Sequence, residues 1–85
     1  MIDPAAAFGV VLRDLRKKAH LSQEQLALEA GIERNFVSLI ERGVNQPTIR
    51  IIFKLAAALH IEPSEMIKAT ECFIATENLP RSSSE

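Results

Sequence analysis

Apolar residues recur along the chain at intervals of three and four, and no stretch alternates apolar with polar residues for long. That period places an apolar stripe on one side of a helix and calls for no strand. Asp3-Pro4 suits a helix start, because Asp caps free amides and Pro sits where the N–H has no helical partner. Phe8, Leu12, Leu15 and Ala19 follow at helical spacing, which predicts a first helix over about Pro4–Ala19, stopped by His20 in a left-handed conformation. Ser22 and Gln25 form a capping box for a second helix, about Gln23–Ala30, with Leu26, Ala27 and Ala30 inward and Gly31 as its stop. A third, about Glu33–Glu41, starts on a poor N-cap, turns Val37 and Ile40 inward and ends at Gly43. Thr48 caps a fourth helix whose buried positions are Ile51, Ile52, Leu55, Ala56 and Leu59, with His60 as its end. Pro63 opens a fifth containing Met66 and Ile67, with an indistinct end between Thr70 and Ala75.

Composition agrees with a single small all-α domain. The 85 residues are 47% hydrophobic, enough for one core and too few for two. The expected layout is a compact five-helix domain over residues 1–77, followed by a disordered polar tail over 78–85, NLPRSSSE. Cys72 is the single cysteine, so there is no internal disulfide, and no CxxC or His/Cys cluster offers a metal site. The N-terminus lacks the charged and apolar regions of a signal peptide, and no 18-residue apolar run suggests a membrane span, so a cytoplasmic protein is expected.

The net charge of −1 does not by itself suggest a nucleic-acid binder. Its distribution is more informative. Arg13 to Arg50 holds seven basic and five acidic residues, whereas the rest of the chain holds three and six, so the positive field lies with the half of the chain that contains the second and third helices.

Those two helices carry the main motif, QEQLALEAGIERNFVSLIER, from Gln23 to Arg42. Ala27 is small where a second helix has to cross closely, Gly31 makes a sharp turn, and Val37 with Ile40 anchor the second helix on the core. With Gln23, these residues fall at the first, fifth, ninth, fifteenth and eighteenth positions of a twenty-residue pattern, and there the chain resembles the phage-repressor and Cro-like helix-turn-helix family, the XRE group, over about Phe8 to Ile67.

The resemblance implies a lambda-repressor-like fold and sequence-specific regulation of transcription, with the third helix in the major groove of double-stranded DNA. It implies that Arg34, Asn35 and Ser38 read base edges with Leu39 beside them; Arg suits guanine and Asn suits adenine in bidentate pairs. It also implies a phosphate contact from Gln23, whose alternative is a simple cap. Around the reading helix, the backbone near Gly43 and the side chains of Asn45, Gln46 and Thr48 suit phosphate, or merely close an interhelical loop. Phe36 either packs on the domain or lies along the DNA backbone. Arg16 and Glu41 match positions that form an internal salt bridge in some members of the family.

A roughly palindromic operator and a homodimer follow from the same resemblance, with two reading helices about 34 Å apart. Met66, Ile67, Cys72, Phe73 and Ile74 are candidates for the dimer seam or, alternatively, for closing the core. In size and layout, and in its Arg34-Asn35-Phe36, the chain is also similar to the controller proteins of restriction-modification systems. The competing expectation is an antitoxin or adaptor that binds a protein through Cys72–Leu79. No nucleophile with its base, phosphate-cradling glycine loop or metal motif supports an enzyme, and no cofactor, small-molecule ligand or membrane partner is expected.

Overall fold

The computed structural model describes residues 2–78. Five helices follow one another: α1 Pro4–Lys18, α2 Gln23–Ala30, α3 Arg34–Glu41, α4 Ile49–Leu59 and α5 Pro63–Glu77. Four of them begin where the local chemistry favours it. The Asp3 carboxylate accepts from the Ala6 amide at 3.1 Å, with Pro4 at the first helical position. Ser22 and Gln25 bond reciprocally, amide to side-chain oxygen, at 2.8 and 3.0 Å. Thr48 Oγ1 accepts from the Ile51 amide, and the Glu65 side chain accepts from the Glu62 amide at the head of α5. Glu33 supplies α3 with no side-chain cap, as its chemistry predicts.

The ends of α1 to α4 are set by left-handed residues. Gly31 and Gly43 have φ of 71° and 75°, and His20 and His60 take φ of 61° and 59°, where a side chain costs energy that glycine does not. Helix α1 closes one residue earlier than expected, at Lys18, and Ala19 is exposed rather than inward. The apolar stripe gives way there to the buried Arg16. Helix α5 runs beyond the indistinct end that periodicity predicts, to Glu77, because Phe73 and Ile74 are half-buried and keep its second half packed. Of the expected tail, Asn78 forms the cap of α5 and residues 79–85 lie outside the described region.

The core gathers Leu12, Leu26, Val37, Ile40, Leu55 and Met66, all fully buried, with Phe8, Ala27, Ala56 and Leu59 around them. Burying each large aliphatic side chain contributes about 1.5–3 kcal/mol from apolar surface removed from water. Met66 therefore belongs to the core and not to an exposed seam. Ile51 is only half-buried, and Ala58 takes an inward place on α4 that the periodicity does not assign. Helix α1 packs on both α3 and α5, while α2 packs on α3 and α4, so α3 is held from two sides.

Candidate nucleic-acid interface

Helix α3 has two faces. Val37 and Ile40 are fully buried and fix it to the core. On the opposite side Arg34 and Asn35 are exposed, with Ser38 and Leu39 half-buried one turn further on. The three- and four-residue offsets put Arg34, Asn35, Ser38 and Leu39 on one continuous surface. With its side chains an α-helix is about 10–12 Å across, which matches the ~12 Å width of the DNA major groove. Phe36 resolves toward the domain: it is partly buried and packs against the core.

The tight approach of α2 to α3 depends on small residues. Ala27 and Ala30 are buried in α2, and the left-handed Gly31 sends the chain into α3. A third small residue is not singled out by the helix-turn-helix pattern. Gly9, buried in α1, lies so close to the carbonyls of Ile40 and Glu41 that a Cβ would collide with both. Its signal was a glycine inside a helix, a costly placement that usually has a packing reason.

Beneath the reading surface sits one buried polar node. Arg16 Nε donates to Glu41 Oε2 at 2.6 Å and its NH2 to Glu41 Oε1 at 3.1 Å, a bidentate pair, while NH1 donates to the Leu21 carbonyl at 2.8 Å. The Glu41 side chain is only 3% exposed. Such a charge is tolerated in the interior only when paired and hydrogen-bonded. Gln23, at the first position of α2, joins the node by donating from Nε2 to Glu41 Oε1 at 3.0 Å. The Arg16–Glu41 pair thus ties α1, the α1–α2 loop, α2 and the last turn of α3 together.

The loop after α3 is closed by its own backbone. The amides of Val44 and Asn45 both donate to the Leu39 carbonyl, and the Gly43 amide donates to Ile40. Gly43, expected to offer a backbone amide, has that amide already engaged. The donors of the loop outside these bonds include the side chains of Asn45 and Gln46 and the Thr48 hydroxyl proton, whose oxygen caps α4. Arg34, Arg42 and Arg50 are all exposed and lie outside the ion pairs found among the described residues.

A second surface is apolar. Helix α4 shows Ile49, Phe53 and Ala57 to the outside at four-residue spacing, and Ile49 and Phe53 are 69% and 58% exposed. Ile49 borders an open recess lined also by Phe8, Ile52, Ile67 and Ile74. The candidate seam residues on α5 divide accordingly: Ile67 and Ile74 face this recess, whereas Cys72 and Phe73 line a separate groove with Val10 and Leu15 of α1. The sequence signal for the α4 face was Ile49, Phe53 and Ala57 at four-residue spacing, apolar residues beyond those that the core-facing stripe needs. Among the described residues no group of His, Cys, Asp and Glu is arranged to hold a metal ion, and no helix is long and apolar enough to cross a membrane.

Residues 12–66 match the sequence profile of the helix-turn-helix family. Control protein C.BamHI of Bacillus amyloliquefaciens is 36% identical over 64 residues, covering 74% of this chain and 79% of that protein. The HTH-type transcriptional regulator SlrR of Bacillus subtilis is 37% identical over 62 residues; the match covers 72% of this chain and only 41% of that longer regulator. Among solved structures, the restriction-modification controller protein C.AhdI from Aeromonas hydrophila superposes with a TM-score of 0.72 at 45% identity, over 73% of this chain and 94% of that one.

Proposed function

We propose, from the premise that this chain belongs to the helix-turn-helix family of DNA-binding transcriptional regulators, that it binds a roughly palindromic operator as a homodimer and acts as a controller-type regulator. The observation that carries this reading is α3 itself: an exposed Arg34-Asn35 face on a helix anchored from below by Val37, Ile40 and the Arg16–Glu41 pair. Side chains that read base edges need such a rigid mount, because a bidentate pair discriminates only when its donors are held in register. Arg34 reads guanine, Asn35 reads adenine, and Ser38 and Leu39 complete the footprint. Asn45, Gln46, Thr48 and Gln23 contact phosphates, and Arg42 and Arg50 add to the attraction.

One copy presents only eight residues of reading helix, a small footprint. Two copies related by a twofold axis double it and place the helices one DNA turn apart. The α4 face of Ile49 and Phe53, continued by Ile67 across the recess, suits that self-association. Large apolar side chains exposed opposite the core leave water when a second copy covers them. The similarity to Control protein C.BamHI and to the restriction-modification controller protein C.AhdI supports the controller assignment, and a regulator that acts on cellular DNA works in the cytoplasm.

Selection of bound sequences from a random duplex pool tests the reading. The expected product is a site with twofold symmetry, and Arg34→Ala should relax one or two positions in each half-site. A folded dimer that retains no duplex at low salt would overturn it.

A further inference from the structure

Gln23 is the one side chain at the proposed phosphate boundary that also reaches the buried node. Its orientation there is fixed by chemistry. Glu41, ionised and paired with Arg16, can only accept hydrogen bonds, so the Gln23 amide must turn its nitrogen inward. With that nitrogen held at 3.0 Å from Glu41 Oε1, one N–H remains for a partner outside, and its direction is set by the carboxylate. Gln23 is half-buried, which limits its other rotamers.

We infer that Glu41 is a positioning residue for DNA backbone binding: acting through Gln23, it aims the free Gln23 N–H at a phosphate and couples that contact to the last turn of the reading helix. The inference rests on the DNA-binding reading above and adds to it the group that sets one contact. Glu41 itself touches no DNA. It is covered, and its charge is answered by Arg16, so it adds little repulsion against an approaching phosphate. The coupling runs both ways. A shift of α3 moves the Glu41 carboxylate and with it the phosphate donor, so the reading helix and its backbone anchor engage in one register.

The test uses the full chain with the duplex selected from the random pool, and a set of duplexes each carrying one neutral methylphosphonate in place of a phosphate. In the unaltered protein, one methylphosphonate position per half-site should weaken binding about two- to tenfold beyond its loss of charge, the range of a single hydrogen bond. Gln23→Ala should lose that much on the natural duplex and keep only the loss due to charge at that position. Glu41→Asp, which keeps a carboxylate near Arg16 but shortens the reach to Gln23, should do the same, and the double variant should be no worse than either single one. The slope of affinity against salt should stay unchanged throughout, since Gln23 carries no charge.

Additive losses, or a methylphosphonate penalty beyond the loss of charge that survives in Glu41→Asp, would overturn the inference, since a merely structural role for Glu41 leaves the phosphate contact intact. A readout independent of that variant is the Gln23 side-chain amide resonance in the unaltered protein. One hydrogen should be shifted downfield and protected from exchange, and a freely exchanging pair would also overturn the proposal. If the unaltered protein binds no duplex, the DNA reading itself fails; if it binds and Gln23→Ala is neutral, only the inference fails.

Discussion

At Gly9 the backbone of α1 meets the end of α3, and a Cβ placed there would lie 2.8 Å from the Glu41 carbonyl oxygen and closer still to that of Ile40. Both obstacles are backbone, so neither can swing away, and Gly9→Ala has to push α1 off α3. The expected cost is about 1–3 kcal/mol or more, as for other overpacked sites, read as a lower thermal midpoint by circular dichroism. Gly31 makes the opposite case: its φ is 71° but a Cβ would meet nothing, so Gly31→Ala should cost only the left-handed strain, about 1–2 kcal/mol. Equal losses at the two sites would remove the steric account. Arg16→Ala leaves Glu41 charged and covered, and should destabilise by about 3–5 kcal/mol. The Lys18–Asp14 pair is far more exposed, and Lys18→Ala should move stability by less than about 1 kcal/mol. The Arg16–Glu41 pair came from family resemblance. Gly9 and the Gln23–Glu41 bond did not emerge, because their partners lie 18 to 32 positions away and no local pattern joins them.

The starts and stops of the helices were the most readable part of the chain, since a cap forms between residues three apart. Asp3, Ser22 and Thr48 each place an oxygen on the third amide of the helix that follows. The stops at His20 and His60 are equally local, and both take positive φ. Replacing either with glycine relieves about 1–2 kcal/mol of left-handed strain, offset by the greater freedom of glycine in the unfolded chain. Each of His20→Gly and His60→Gly should therefore raise stability by a few tenths to about 1 kcal/mol in urea titration; a loss at both would show that the imidazoles make contributions beyond helix termination. What local pattern missed were a helix end, that of α5, and a face, that of α4. The second half of α5 is held by half-buried Phe73 and Ile74, and the neighbours of Phe73 in its groove, Val10 and Leu15, belong to α1. On α4 periodicity placed Ile52, Leu55, Ala56 and Leu59 inward, but it gave no reason for the outward Ile49 and Phe53 to be large and apolar.

For the molecule as a whole, a net charge of −1 means that attraction to DNA depends on where the positive groups sit. Arg50→Ala should weaken binding to all duplexes alike and lower the salt slope by about 0.9 for each phosphate that a copy no longer neutralises, whereas Arg34→Ala should also blur the selected site; competition binding over a salt series separates the two. Introducing charge into the outer face of α4 tests the assembly. Phe53→Asp should leave the fold intact, because the ring is 58% exposed, yet shift the protein toward monomer in sedimentation and weaken operator binding with it. A variant that remains dimeric would place the seam elsewhere. The sequence by itself determined the number and type of the helices, their caps, the small residues of the turn and the exposed Arg34-Asn35 pair, all of which depend on spacings of a few residues. Tertiary structure alone decided that Met66 is core while Ile67 is surface, that Gly9 lets α1 reach α3, and that Gln23 hangs from Glu41. Those outcomes depend on which residues meet across the fold, and a contact between distant positions leaves no periodicity in a single chain.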